Sequence, residues 1–149
     1  MARGLRFLGH PVHPMLTHFP MALLMLAPPL DAIALVRGEP VLWTTSFWMI
    51  AAGLGFGLVA AIAGMVDLAA IPDSAETAAT AAQRHMLIML TAVCLFGASL
   101  GFRGGSAAPS GYHLVGALAC EAIGALGLMV GGWLGGHLVF HHRVGVDVD

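Results

Sequence analysis

The run Gly9-His-Pro-Val-His-Pro-Met-Leu-Thr-His-Phe-Pro20 sets three histidines and three prolines at the mouth of an otherwise apolar segment. Imidazole is neutral near pH 7 and keeps a free nitrogen lone pair, so at membrane depth it serves as a metal ligand or a proton carrier. Proline ahead of the first full turn fixes the angle at which the chain enters a helix. Further along, Asp67, His85, His137, His141 and His142 are further polar groups whose types suit ligation. The chemistry to look for is therefore metal or haem coordination, or proton transfer.

The elements that position these groups follow from composition. Apolar residues make up 58% of the 149-residue chain and charged residues 9%, against about 25% charged in a soluble domain. A water-exposed surface of ordinary polarity cannot be built from this, so the chain belongs in a lipid bilayer as a single domain. The formal charge of -2 gives no basis for nucleic-acid binding. Four apolar runs, at about Met15–Val36, Val41–Ala70, Ala82–Phe102 and Tyr112–Phe140, are each long enough to cross about 30 Å of hydrocarbon.

Short links join the runs. Arg37-Gly-Glu-Pro40 combines a glycine stop with a proline. Ile71-Pro-Asp-Ser-Ala-Glu76 predicts a turn with Asp73 or Ser74 as the cap of the third helix, and Arg103-Gly-Gly-Ser-Ala-Ala-Pro-Ser-Gly111 predicts a flexible polar loop. Consecutive helices are then antiparallel neighbours, and the fold class is all-α, an integral-membrane up-down four-helix bundle. Arg3 and Arg6 also fit the start of a signal peptide. The apolar segment after them is long, contains Asp31 and lacks a small-x-small cleavage site, which favours a retained membrane helix. Four crossings put both termini on one side with Arg3, Arg6, Arg84 and Arg143, against Arg37 and Arg103 opposite. That excess predicts cytoplasmic termini.

The topology gathers His10, His13, His18, Asp67, His85, His137, His141 and His142 at one end of the bundle, and leaves His113 at the other. His137 and His141, four apart, share a helix face, whereas His142 is expected to point away as a surface residue. Asp31 and Glu121 lie deeper, and an acid at that depth costs about 2.5–3.5 kcal/mol to insert. With His113 they form a candidate second polar cluster. Gly53 and Gly57, and Gly127, Gly131 and Gly135, recur every four residues. Such faces bring helix backbones close together, or leave a gap for a flat cofactor. Cys94 and Cys120 are isolated and read as apolar fillers, and no phosphate loop, nucleophile elbow or HExxH helix is present.

The opening histidine run, with Asp31, Gly64-Met-Val-Asp67 and Gly132-Trp-Leu-Gly-Gly-His-Leu-Val-Phe-His141, resembles the bacterial membrane family known as domain of unknown function 2231 over nearly the whole chain. The resemblance implies a four-helix protein of the bacterial inner membrane. Because some related chains are joined to a Rieske-type iron–sulfur domain, it also implies electron transfer. The chain departs from the family pattern in having Arg143 after a histidine pair and no polar partner after His85.

Three readings result. In the first, the protein carries electrons on haem b, with His18 and His137 as axial ligands and His85 as the rival for either, since bis-histidine haem needs two imidazoles on facing helices. In the second, Asp67 with His10, His13, His85 and His141 binds or transports zinc, iron, copper or manganese. In the third, the protein is a structural subunit whose histidines only settle the membrane interface. The expected partners are the bilayer, a redox protein such as a Rieske-type protein, and a second copy of the chain in a homo-oligomer.

Overall fold

A computed structural model describes residues 4–146; Arg3, one of the arginines used to orient the chain, lies outside them. The four expected helices are present: α1 (Val12–Arg37), α2 (Pro40–Ala69), α3 (Glu76–Arg103) and α4 (Gly111–Phe140). Each is long and apolar enough to span a membrane. Two of them stop at a glycine in the left-handed region, where a side chain would be strained. Gly38 (φ 67°) donates its N–H to the Ala34 carbonyl, and Gly104 (φ 65°) donates to Leu100. α1 packs most extensively on α2 and α3 on α4, while the α2–α3 and α1–α4 contacts close the ring. This is the up-down bundle expected from the short links.

The interior is built for close approach. Small residues such as Ala27, Ala60, Ala63, Ala92 and Ala117 are buried, while Leu58, Leu87, Leu126 and Trp133 face outward. Between membrane helices the hydrophobic effect is absent and van der Waals contact decides packing, so small residues belong inside and large ones against lipid. Leu24, Ala27, Ile50, Ala92, Phe96 and Leu128 form the central cluster.

The second helical hairpin repeats the first. Leu24 of α1 packs on Gly53 of α2, and Phe96 of α3, 72 residues later, packs on Gly124 of α4, 71 residues after Gly53. The same offsets relate His13 on Gly64 to His85 on Gly135. Because α1 and α3 run in the same direction, the two hairpins form a parallel repeat about an axis along the bundle. Few identical residues mark this repeat, which lies in which positions pack together.

Two local expectations are corrected. α3 begins at Glu76, not Ala82, and its cap position is Ala75 with no side-chain cap bond, so neither Asp73 nor Ser74 serves. The alanine-rich run Thr77–Ala82 propagates helix well even where it is too polar to be read as membrane span. Ahead of α1, Arg6–Phe7 pairs with His10–Pro11 in a two-residue hairpin. Its central residues Leu8 (φ 49°) and Gly9 (φ 84°) both have positive φ, the backbone of a tight primed turn.

Candidate functional site

At the histidine end, two imidazoles from opposite hairpins face each other. His13 of α1 donates Nδ1–H to the Ala60 carbonyl of α2 at 2.7 Å, and His85 of α3 donates Nδ1–H to the Gly131 carbonyl of α4 at 2.8 Å. A carbonyl only accepts, so Nδ1 carries the proton in both rings and Nε2 of the neutral ring keeps its lone pair. The same arrangement orients metal-ligating histidines, whose second nitrogen is held by a carbonyl or carboxylate. The ring centroids are 6.4 Å apart and the planes nearly perpendicular, at 81°. Each ring sits closely on a glycine: a Cβ at Gly64 would lie 2.9 Å from His13 Cε1 and force a shift, and one at Gly135 would lie 3.1 Å from His85 Cε1, a tight contact.

A second group lies where α4 ends. One ligand nitrogen from each of His137, His141 and His142 falls within 4.8 Å of the others. His137 and His141 stack with centroids 4.6 Å apart, and His142 meets both edge-on. Trp133 stacks on the other side of His137 at 5.8 Å. The sequence expectation that His142 points away is overturned: α4 stops at Phe140, and the turn beyond it brings the His142 ring back over His137. A helical wheel does not apply past the helix end. His137 and His142 line an open cleft of about 540 Å³ together with Glu76, Arg84 and Trp133. Desolvation by its neighbours, followed by the charges of His141 and His137, holds the His142 imidazole below its ordinary value of 6.5.

The other expected ligands join neither group through any contact described. His18 is exposed, with Nδ1 3.3 Å from the Met15 carbonyl of its own helix. His10 is exposed on the N-terminal hairpin. Asp67 accepts the Leu5 N–H at 2.8 Å and so ties that hairpin to α2. Arg6 donates to the carbonyls of Gly9 and Gly145, at 2.9 and 3.2 Å, joining the segments before α1 and after α4. The proposed axial pair His18 and His137 is thus divided between an exposed face of α1 and the end of α4, whereas His13 and His85 are brought together.

At the opposite end all four helices contribute to a buried polar cluster. Arg103 closes α3 with its side chain fully buried, touching Asp31 of α1 and reaching Glu121 Oε1 of α4 at 2.7 Å. Arg103 also donates to Ser46 Oγ of α2 at 3.3 Å, Ser99 Oγ donates to Glu121 Oε1 at 2.5 Å, and the guanidinium lies 5.4 Å from the Trp43 ring centroid. Asp31 and Glu121 of the expected second cluster thus both meet Arg103, but His113 is exposed and lies against Tyr112 with ring centroids 4.0 Å apart. Arg103, read from sequence as the start of a polar loop, takes its place. The available signal was helical spacing: Phe96, Ser99 and Arg103 recur at three and four residues on the buried face of α3. Asp31 and Arg103 are also 72 residues apart, so the repeat that pairs two imidazoles at one end pairs opposite charges at the other.

The model of the family described as "Predicted membrane protein (DUF2231)" matches residues 9–148. No curated protein and no solved structure matches the chain.

Proposed function

We propose that this chain, which belongs to the DUF2231 family of predicted membrane proteins, holds a transition-metal ion on His137, His141 and His142 at one face of the bilayer. The observation that carries the reading is the convergence of three imidazole nitrogens within 4.8 Å. Nitrogen ligands suit zinc, copper and iron, and three of them leave coordination positions open for water or a partner's ligand. The test is metal content and affinity of purified protein. Losing only a supporting partner of a ligand costs about 10–100-fold in affinity, so His137→Ala, His141→Ala and His142→Ala should each cost at least that, while His10→Ala and His18→Ala change little. Desolvation and then the charges of His141 and His137 hold the His142 ring below its ordinary value of 6.5, which favours its neutral, metal-binding form. Affinity should therefore hold through neutral pH and fall as acid protonates the ligands. Equal metal content in all five variants and the wild type would sink the proposal.

A second reading, haem b in an electron carrier served by a redox protein such as a Rieske-type partner, is favoured by the His13–His85 pair. Two imidazoles that ligate one metal from opposite sides at ~2.0–2.1 Å have ring centroids about 6 Å apart, and the His13 and His85 centroids are 6.4 Å apart. A pyridine haemochrome assay on the same preparations separates the readings. Haem that is lost in His13→Ala and His85→Ala but kept in His137→Ala supports this one.

We also propose that the protein lies in the bacterial inner membrane with the histidine end cytoplasmic. Arg6, Arg84 and Arg143 stand at that end, whereas Arg103 at the other is buried in a cluster and leaves Arg37 as the exposed arginine there. Positive residues outside the span favour the cytoplasm. Reporter fusions after Gly38 should read outside and fusions after Val146 inside; the reverse pattern would overturn the orientation.

A further inference from the structure

We infer that the buried cluster of Asp31, Arg103 and Glu121 binds one exchangeable monovalent cation, either a proton on a carboxyl group or an alkali ion between the two acids. Charge makes the first argument. Arginine stays protonated in proteins, and it faces two carboxyl groups whose side chains are 0% and 1% exposed. With both acids ionised the cluster carries one uncompensated negative charge on buried side chains, an arrangement that buried charges avoid by pairing or neutralisation. Among the described residues, the groups facing it from each helix supply no second cation: α1 gives Asp31, α2 gives Ser46 and Trp43, α3 gives Ser99 and Arg103, and α4 gives Glu121.

Hydrogen bonding gives an independent argument. Glu121 Oε1 accepts from Ser99 Oγ, from Arg103 Nη2 and from Arg103 Nε at 2.5, 2.7 and 3.2 Å. Its other oxygen, Oε2, has no partner although it is buried, Asp31 Oδ1 is in the same condition, and so is the Arg103 Nη1 donor. Three donors converge on one oxygen while two neighbouring oxygens have none. A buried acceptor without a partner is costly, and a bound cation satisfies it while neutralising the cluster. Since the two acids lie on α1 and α4, which belong to different hairpins, occupancy also fixes how the hairpins pack.

Infrared spectroscopy of the full-length protein in lipid nanodiscs tests this. If a proton is the occupant, a protonated-carboxyl C=O band is present in sodium-free buffer, grows as pH falls, and is lost in Glu121→Gln or Asp31→Asn while Glu39→Gln and Asp67→Asn retain it. If an alkali ion is the occupant, that band is missing, and sodium or potassium chloride raises the thermal midpoint above that in choline chloride at equal ionic strength. That rise disappears in Glu121→Gln. Should the variants not fold, carbon-13 labelling of glutamate or aspartate in the wild type shifts the band and assigns it. A wild type with neither a carboxyl band nor an alkali-ion effect overturns the inference and leaves a fixed ion network.

Discussion

Arg103→Met is expected to be the most damaging single substitution in the protein. It removes the cation from a site where Asp31 and Glu121 stay buried and opposed, and where Ser46 loses a donor. Breaking a buried ion pair from one side costs about 3–5 kcal/mol, because the remaining charge is left uncompensated. Heat unfolding in detergent, followed by size-exclusion fluorescence, should show a large fall in the midpoint. The triple change Arg103→Met, Asp31→Leu, Glu121→Met should restore most of it, since replacing a whole buried ion network with apolar groups of similar volume is often neutral. An Arg103→Met protein as stable as the wild type would show that the cluster does not hold the hairpins together.

Gly131→Leu should be clearly more damaging than Gly136→Leu in the same helix. A Cβ there runs into the Met89 side chain of α3 and comes within 3.6 Å of Ile88 Cγ2. Overpacking a tight interface costs about 1–3 kcal/mol. Moving α4 outward also draws the Gly131 carbonyl from His85 Nδ1, 2.8 Å away, at a further cost of about 1 kcal/mol for a lost hydrogen bond. The neighbouring glycine Gly136 has open space where its Cβ would be, so Gly136→Leu is the control. Equal thermal midpoints for the two variants would mean that the stripe of Gly127, Gly131 and Gly135 does not set the α3–α4 distance.

Much of the bundle was legible before any coordinates. The apolar runs, the glycine stop at Gly38 and the short links give four antiparallel helices and sort the polar residues into two ends. The glycine stripe also packs as expected, with Gly127 on Ala92, Gly131 on Met89 and Gly135 on His85. What could not be read was helix azimuth. A helix that is apolar nearly all round has no amphipathic stripe to say which face turns inward, so the sequence points to His18 as the axial ligand and leaves His13, five residues earlier on α1, to the mixed metal set. In the bundle His13 reaches Ala60 of α2 and faces His85, while His18 is exposed.

Length and hydropathy alone determined the membrane class, the number of spans and the end at which each histidine lies, because these depend only on how many apolar residues lie between polar breaks. Tertiary packing decided three things. It turned His142 back over His137 beyond the end of α4, chose His13 as the partner of His85, and drew Arg103 inward between Asp31 and Glu121. The first is a local turn after Phe140, and the other two depend on the rotation of one helix against another. Between membrane helices that rotation is settled by the fit of small residues to large ones and by polar groups finding partners, and both are properties of pairs of helices.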